Sequence, residues 1–147
     1  LHIFYTDATE KDLRYSTFNG KNFTFETVDG NGSAVNNYED PVRVRTSSDV
    51  SVANACVASA SAVQVFYRDE SQGVLLGAVK GRNASWRYEL VDGDRKTDGR
   101  TTGDVGFHVQ AIFDGNTTYV AYDSVVSMNQ KNIQNTCLRE HKETYFL

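Results

Sequence analysis

The chain has 147 residues, a formal net charge of −4 and a sequence pI near 5.3. That length suffices for one domain with a full core. No basic stripe interleaves with aromatics, which argues against a nucleic-acid partner, and no apolar run approaches the roughly 20 residues of a membrane-spanning helix.

Leu1–Gly30 opens the chain in mid-strand and without Met, as a mature or processed product would. His2–Tyr5 is the first predicted strand, Asp7–Asp12 a polar turn and Leu13–Phe18 the second strand. Asn19-Gly20 supplies the positive φ values of a tight hairpin turn. Phe23, Phe25 and Thr27 then alternate with Thr24, Glu26 and Val28, the period of a strand with one buried face. Ser33–Ser48 is a polar connector that holds the only proline, Pro41, with a short edge strand expected around Val42 and Val44. Asp49–Ala58 is a strand of small apolar residues, suited to a place where backbones approach closely.

Val63–Gly93 repeats the first unit. His2–Asp7 aligns with Gln64–Asp69 at an offset of 62, and Val28-Asp29-Gly30 with Val91-Asp92-Gly93 at an offset of 63. Phe23 and Phe25 thereby match Trp86 and Tyr88. After a charged connector, Asp104–Phe113 matches Asp49–Ala58 at an offset of 55, and Thr118–Tyr122 matches Val63–Tyr67. The tail from Ser124 can supply a further strand. No segment has a convincing helical period or caps. The fold class is therefore all-β, organised as one region with units near residues 1–30, 49–93 and 104–147. A period of roughly 55–62 residues with four short strands is that of a β-propeller blade. The chain would hold about two and a half to three antiparallel blades, fewer than the 4–8 of a propeller. A second copy, or a second chain from the same precursor, would complete the ring. The alternative is a β-sandwich with an internal duplication.

An apolar-aromatic pair followed by Asp, a turn, an apolar-Arg strand and a turn with Gly and Trp or Phe resembles the blades of the six-bladed fucose-binding lectins of fungi and bacteria. The resemblance covers Leu1–Gly30, Asp49–Gly93 and Asp104–Tyr122. It implies a propeller and a glycan ligand held by an Arg ahead of one strand and a Glu after the next. This chain carries His2 and Gln64 at the Arg position, and Tyr15 and Gly77 at the Glu position.

Sugar sites combine aromatic faces with planar polar groups. Trp86, Arg87 and Tyr88 have that composition, as do Tyr67, Arg68 and Asp69; inter-sheet core and solvated turns are the bland readings of the same residues. His2, His108 and His141 are scattered without metal-ligand spacing, and the Asp29–Gly32 and Asp114–Asn116 turns lack the calcium-loop pattern. No metal or cofactor is expected. No Gly-x-Ser-x-Gly elbow is present. Asp7, Asp69, Glu26 and Glu89 recur at aligned positions, as structural carboxylates do and a catalytic pair does not. No catalytic residue is assigned.

Cys56 and Cys137 would close a long loop if paired, worth about 4 kcal/mol in the chain-entropy model. Two free buried thiols, or a bridge to another chain, fit the sequence as well. Asn22, Asn31, Asn83 and Asn116 each begin an N-glycosylation sequon beside a predicted turn. The expectation is a secreted, glycosylated carbohydrate-binding module, with a propeller glycoside hydrolase chain or an extracellular protein-binding module as alternatives.

Overall fold

The computed structural model describes residues 1–30, 49–50, 53–93, 104–128 and 131–141, with the backbone alone from 126 onward. The described residues are all-β: they form ten strands in three antiparallel sheets, with no helix. The first sheet is β1 (His2–Asp7), β2 (Asp12–Phe18) and β3 (Phe23–Asp29) in that order. The middle sheet is β4 (Asn54–Ala58), β5 (Ala62–Asp69), β6 (Val74–Gly81) and β7 (Arg87–Asp92). The third runs β8 (Asp104–Phe113), β9 (Thr118–Met128) and β10 (Lys131–His141), each paired with the next. No described helix is long and apolar enough to cross a membrane.

The repeat extends into the backbone. The turn after β1 closes with Lys11 N–H donating to the Asp7 carbonyl at 2.8 Å, and the turn after β5 with Gly73 N–H donating to the Asp69 carbonyl at 2.9 Å. Lys11 and Gly73 share a left-handed backbone, φ 63° and 66°. Both second strands carry a bulge at the same place, between Leu13 and Arg14 and between Leu75 and Leu76. A bulge rotates the strand beyond it and re-aims its side chains. The expected strand Asp49–Ala58 begins only at Asn54, because Ala53 sits at φ 56°, outside the extended region. His108 takes the aligned position in β8 at φ 49°. The tail expected to add a strand does so as β10, whereas the edge strand around Val42 falls outside the described residues.

The middle sheet is buried on both faces. On one side Val63, Val65, Tyr67, Leu76, Ala78 and Leu90 pack with Leu13, Tyr15 and Val28 of the first sheet, and with Val50. On the other, Phe66 and Leu75 pack with Val105, Val109, Val120 and Tyr122 of the third. Adjacent residues on a strand point to opposite faces, so a strand covered on both sides reads as a continuous apolar run. Val65–Tyr67 and Val74–Leu76 are such runs.

The two junctions use the same contacts. The Tyr67 hydroxyl donates to Asp29 Oδ2 at 2.7 Å, and the Tyr122 hydroxyl donates to Asp92 Oδ2 at 2.5 Å. Val50 N–H donates to the Lys11 carbonyl and Val105 N–H to the Gly73 carbonyl, both at 3.1 Å. Each Asp also takes the N–H of the glycine that follows it, Gly30 at 2.8 Å and Gly93 at 2.9 Å. Hydrogen bonds to charged acceptors are shorter and stronger than neutral ones. A buried carboxylate held by tyrosine and backbone thus ties each sheet to the next.

Candidate functional site

A cleft of about 450 Å³ opens where the first and middle sheets part. His2 of β1, Tyr15 and Thr17 of β2 and Thr24 and Glu26 of β3 line one wall. The other comes from the β4–β5 turn at Ser59–Ala62 and from Lys80, Arg82 and Asn83 after β6. Antiparallel register puts these groups together: Tyr15 pairs with Glu26 and Thr17 with Thr24, so all four side chains share one face of the first sheet.

Phe4, Tyr15 and Trp86 form an aromatic cluster beside the cleft. Tyr15 meets Trp86 edge-on with centroids 5.4 Å apart and Phe4 at 4.9 Å. His2 stacks on Tyr15, and its Nδ1 lies 2.6 Å from the tyrosine hydroxyl. Lys80 Nζ is 2.5 Å from Glu26 Oε1 and sits over the Trp86 ring at 5.4 Å and the Tyr15 ring at 5.9 Å. Burial pushes the Tyr15 phenol above its ordinary pKa, and the nearby Glu26 charge adds to the rise. The phenol is therefore a neutral donor and acceptor through the physiological range. Glu26 is the single carboxylate among the described lining residues.

The second junction lacks this arrangement. Gln64 stands in the place of His2, and its Oε1 accepts from Thr118 Oγ1 at 2.7 Å within buried surroundings. Gly77 stands in the place of Tyr15, with Glu89 lying over it: a Cβ there would be 2.7 Å from Glu89 Oε1. The two aligned junctions have thus diverged at these positions: His2 and Tyr15 line an open polar cleft in one, while Gln64 is tied to Thr118 and Glu89 covers Gly77 in the other.

The residues singled out by composition are divided between faces. Trp86 is half-buried against Phe4 and Tyr15, and its Nε1 is buried without a hydrogen-bond partner among the described residues. The Tyr88 hydroxyl donates to the Val28 carbonyl at 2.7 Å, while Arg87 is exposed. Tyr67 faces the first sheet through Asp29. Arg68, next to it, faces the third sheet, 2.7 Å from Asp104 and 3.3 Å from Glu70, with its guanidinium over Phe107. Asp69 is buried and accepts the Gln72 N–H at 3.1 Å. Trp86 and Tyr88 therefore neighbour the cleft and Tyr67 lies deeper in the same interface, whereas Arg68 belongs to the other junction.

Among the described residues no cluster of His, Cys, Asp and Glu could hold a metal ion. Cys56 carries a free, exposed thiol on β4, and the side chain of Cys137 lies outside the described residues. Asn22, Asn83 and Asn116 are exposed in turns; Asn31 lies outside the described residues. No protein-family model matches the chain, and neither a curated protein nor a solved structure matches it.

Composition missed His2, Thr17, Lys80 and Arg82. For His2, as for its neighbour Tyr15, the signal was the place where the two repeats disagree, His2 against Gln64 and Tyr15 against Gly77; Thr17, Lys80 and Arg82 had no such signal.

Proposed function

We propose that the three sheets are successive blades of a β-propeller, and that the protein is an extracellular carbohydrate-recognition module. The saccharide lies in the cleft between the first two blades. The observation that carries this reading is the divergence of the two aligned junctions. At the second, Gln64 takes a buried hydrogen bond from Thr118 and Glu89 lies over Gly77, whereas the first keeps an open polar volume beside an aromatic cluster. The exposed His2, backed by the buried Tyr15, offers a ring face to the apolar side of a pyranose, and Glu26, Arg82 and Asn83 offer planar polar groups to its hydroxyls. His2 and Tyr15 also hold the positions at which the resembling lectins carry their sugar-binding Arg and Glu. A single carboxylate among the described lining residues supports recognition over hydrolysis, since a glycosidase needs two acting on opposite sides of the bond. The exposed sequons at Asn22, Asn83 and Asn116 support the extracellular setting.

A glycan array followed by titration calorimetry tests the proposal, using protein from a host that adds no N-glycans, because Asn83 is both sequon and lining residue. Binding to a defined saccharide is expected. Arg82→Ala and Glu26→Gln are each expected to weaken it by about tenfold, which is about 1.4 kcal/mol. Absence of binding to every glycan, or binding indifferent to both changes, would contradict the reading.

A further inference from the structure

The described residues leave six large apolar side chains exposed, and five of them belong to the first unit: Leu1, Ile3, Tyr5, Phe23 and Phe25. Register places these together. Ile3 pairs with Ser16 and Ser16 with Phe25, while Phe18 pairs with Phe23, so Ile3, Phe23 and Phe25 share the face turned away from the middle sheet. Tyr5, two residues beyond Ile3, lies on it too.

Aligned with the second unit, the same five positions are Val63, Val65, Tyr67, Trp86 and Tyr88. Each of those packs against the first sheet, with Val63, Val65 and Tyr67 at 4 %, 0 % and 0 % exposure. Ile3 and Tyr5 stand at 37 % and 36 %, Phe23 at 48 %, Phe25 at 63 % and Leu1 at 70 %. The exposed face thus carries the residue set that elsewhere in the molecule forms the receiving half of a junction. Tyr5 is the third member of the series that contains Tyr67 and Tyr122, and no described carboxylate accepts from its hydroxyl. Exposed apolar patches of this extent mark interaction surfaces.

We infer that this face docks one further β-sheet of the same repeat chemistry. That sheet's last strand ends in Asp-Gly and gives its carboxylate to the Tyr5 hydroxyl. The inference rests on the blade reading and adds to it which face is open and what covers it. The occupant presents aliphatic and aromatic residues in the manner of Leu13, Tyr15 and Val28 to Ile3, Phe23 and Phe25. The described sheets of a second copy do not supply it, because Asp29 and Asp92 already serve tyrosines of their own chain.

A lengthened chain provides the test. A second copy of residues 1–62 placed ahead of Leu1 continues the repeat at its own offset of 62, and sets an Asp29 opposite the original Tyr5. Nitration of tyrosines with peptide mapping is the readout. The original Tyr5 is expected to react at least about tenfold more slowly in the lengthened chain, while Tyr5 of the added copy stays reactive. Asp29→Asn in the added copy is expected to restore reactivity in part. Equal reactivity of the original Tyr5 in both chains would overturn the inference. So would a concentration-dependent dimer of the unextended protein that Phe25→Lys makes monomeric, since a second copy would then cover the face. Thermal unfolding of Tyr67→Phe and Tyr122→Phe separates the two levels. If both are destabilised and Tyr5 is unprotected, the stacked blades stand and the docking inference falls. If neither is destabilised, the blade reading falls and takes the inference with it.

Discussion

Replacing Gly93 by alanine is expected to cost about 2–6 kcal/mol of stability, the sum of left-handed backbone strain and overpacking. Gly93 follows Asp92 at the end of β7 with φ +103°. A Cβ there would lie 2.8 Å from Val105 Cγ2, 3.0 Å from Val74 Cα and 3.1 Å from the Gly73 carbonyl oxygen. Two of those neighbours are backbone and cannot swing aside, and the third is a buried valine of the next junction. The sequence aligns Val91-Asp92-Gly93 with the end of the first unit; the structure shows that the glycine is also a contact point between sheets. Gly115 is the control. Its φ is +101°, but nothing lies within 4 Å of its missing Cβ, so alanine there carries the strain alone. Urea unfolding of the two variants measures the difference. Equal costs would mean that the close approach at Gly93 is not real.

Leu75→Ala and Leu76→Ala form the second pair, each expected to cost about 2–5 kcal/mol. Both side chains are fully buried, yet they point to opposite sides of β6. Leu76 fills the core shared with the first sheet and Leu75 the core shared with the third. In a sheet with one wet face, one of two neighbouring residues would be cheap to truncate. Here both are expensive, and the double variant should lose nearly the sum, because separate cores couple weakly. A cheap change at either position in denaturant unfolding would place that side of the middle sheet in solvent.

The strands were legible because the chain repeats. Alternation at Phe23–Val28, the Asn19-Gly20 turn and the aligned Val-Asp-Gly ends located the elements and their antiparallel order before any coordinate. Gly20 does take a positive φ, +97°, and Asn19 Oδ1 accepts the Lys21 and Asn22 N–H groups at 3.0 and 2.9 Å. Side-chain destinations were less legible. Tyr67, Arg68 and Asp69 are contiguous in sequence, but a strand sends Tyr67 and Arg68 to opposite junctions. Asp29 and Asp92 read only as the aligned ends of the repeat units, because the tyrosines that bind them lie 38 and 30 positions away. Trp86 has the composition of a sugar platform, yet its ring meets Phe4 and Tyr15 edge-on and lies under Lys80. The cleft escaped a search by composition because it is assembled from two sheets, with His2 and Lys80 brought together across their junction. Aligning the repeats with each other shows part of it: His2 and Tyr15, where the repeats carry Gln64 and Gly77, line the cleft.

The claim on which the rest depends is that equivalent sheets stack through one repeated tyrosine–aspartate contact. The most direct measurement is the unfolding free energy of Tyr5→Phe, Tyr67→Phe and Tyr122→Phe, each of which removes one hydroxyl and little else. Loss of a buried hydrogen bond to a carboxylate predicts about 1.5–3 kcal/mol for Tyr67→Phe and for Tyr122→Phe. The exposed Tyr5 hydroxyl predicts a change within about 0.5 kcal/mol. Three equal values, or no loss at either buried position, would contradict the account.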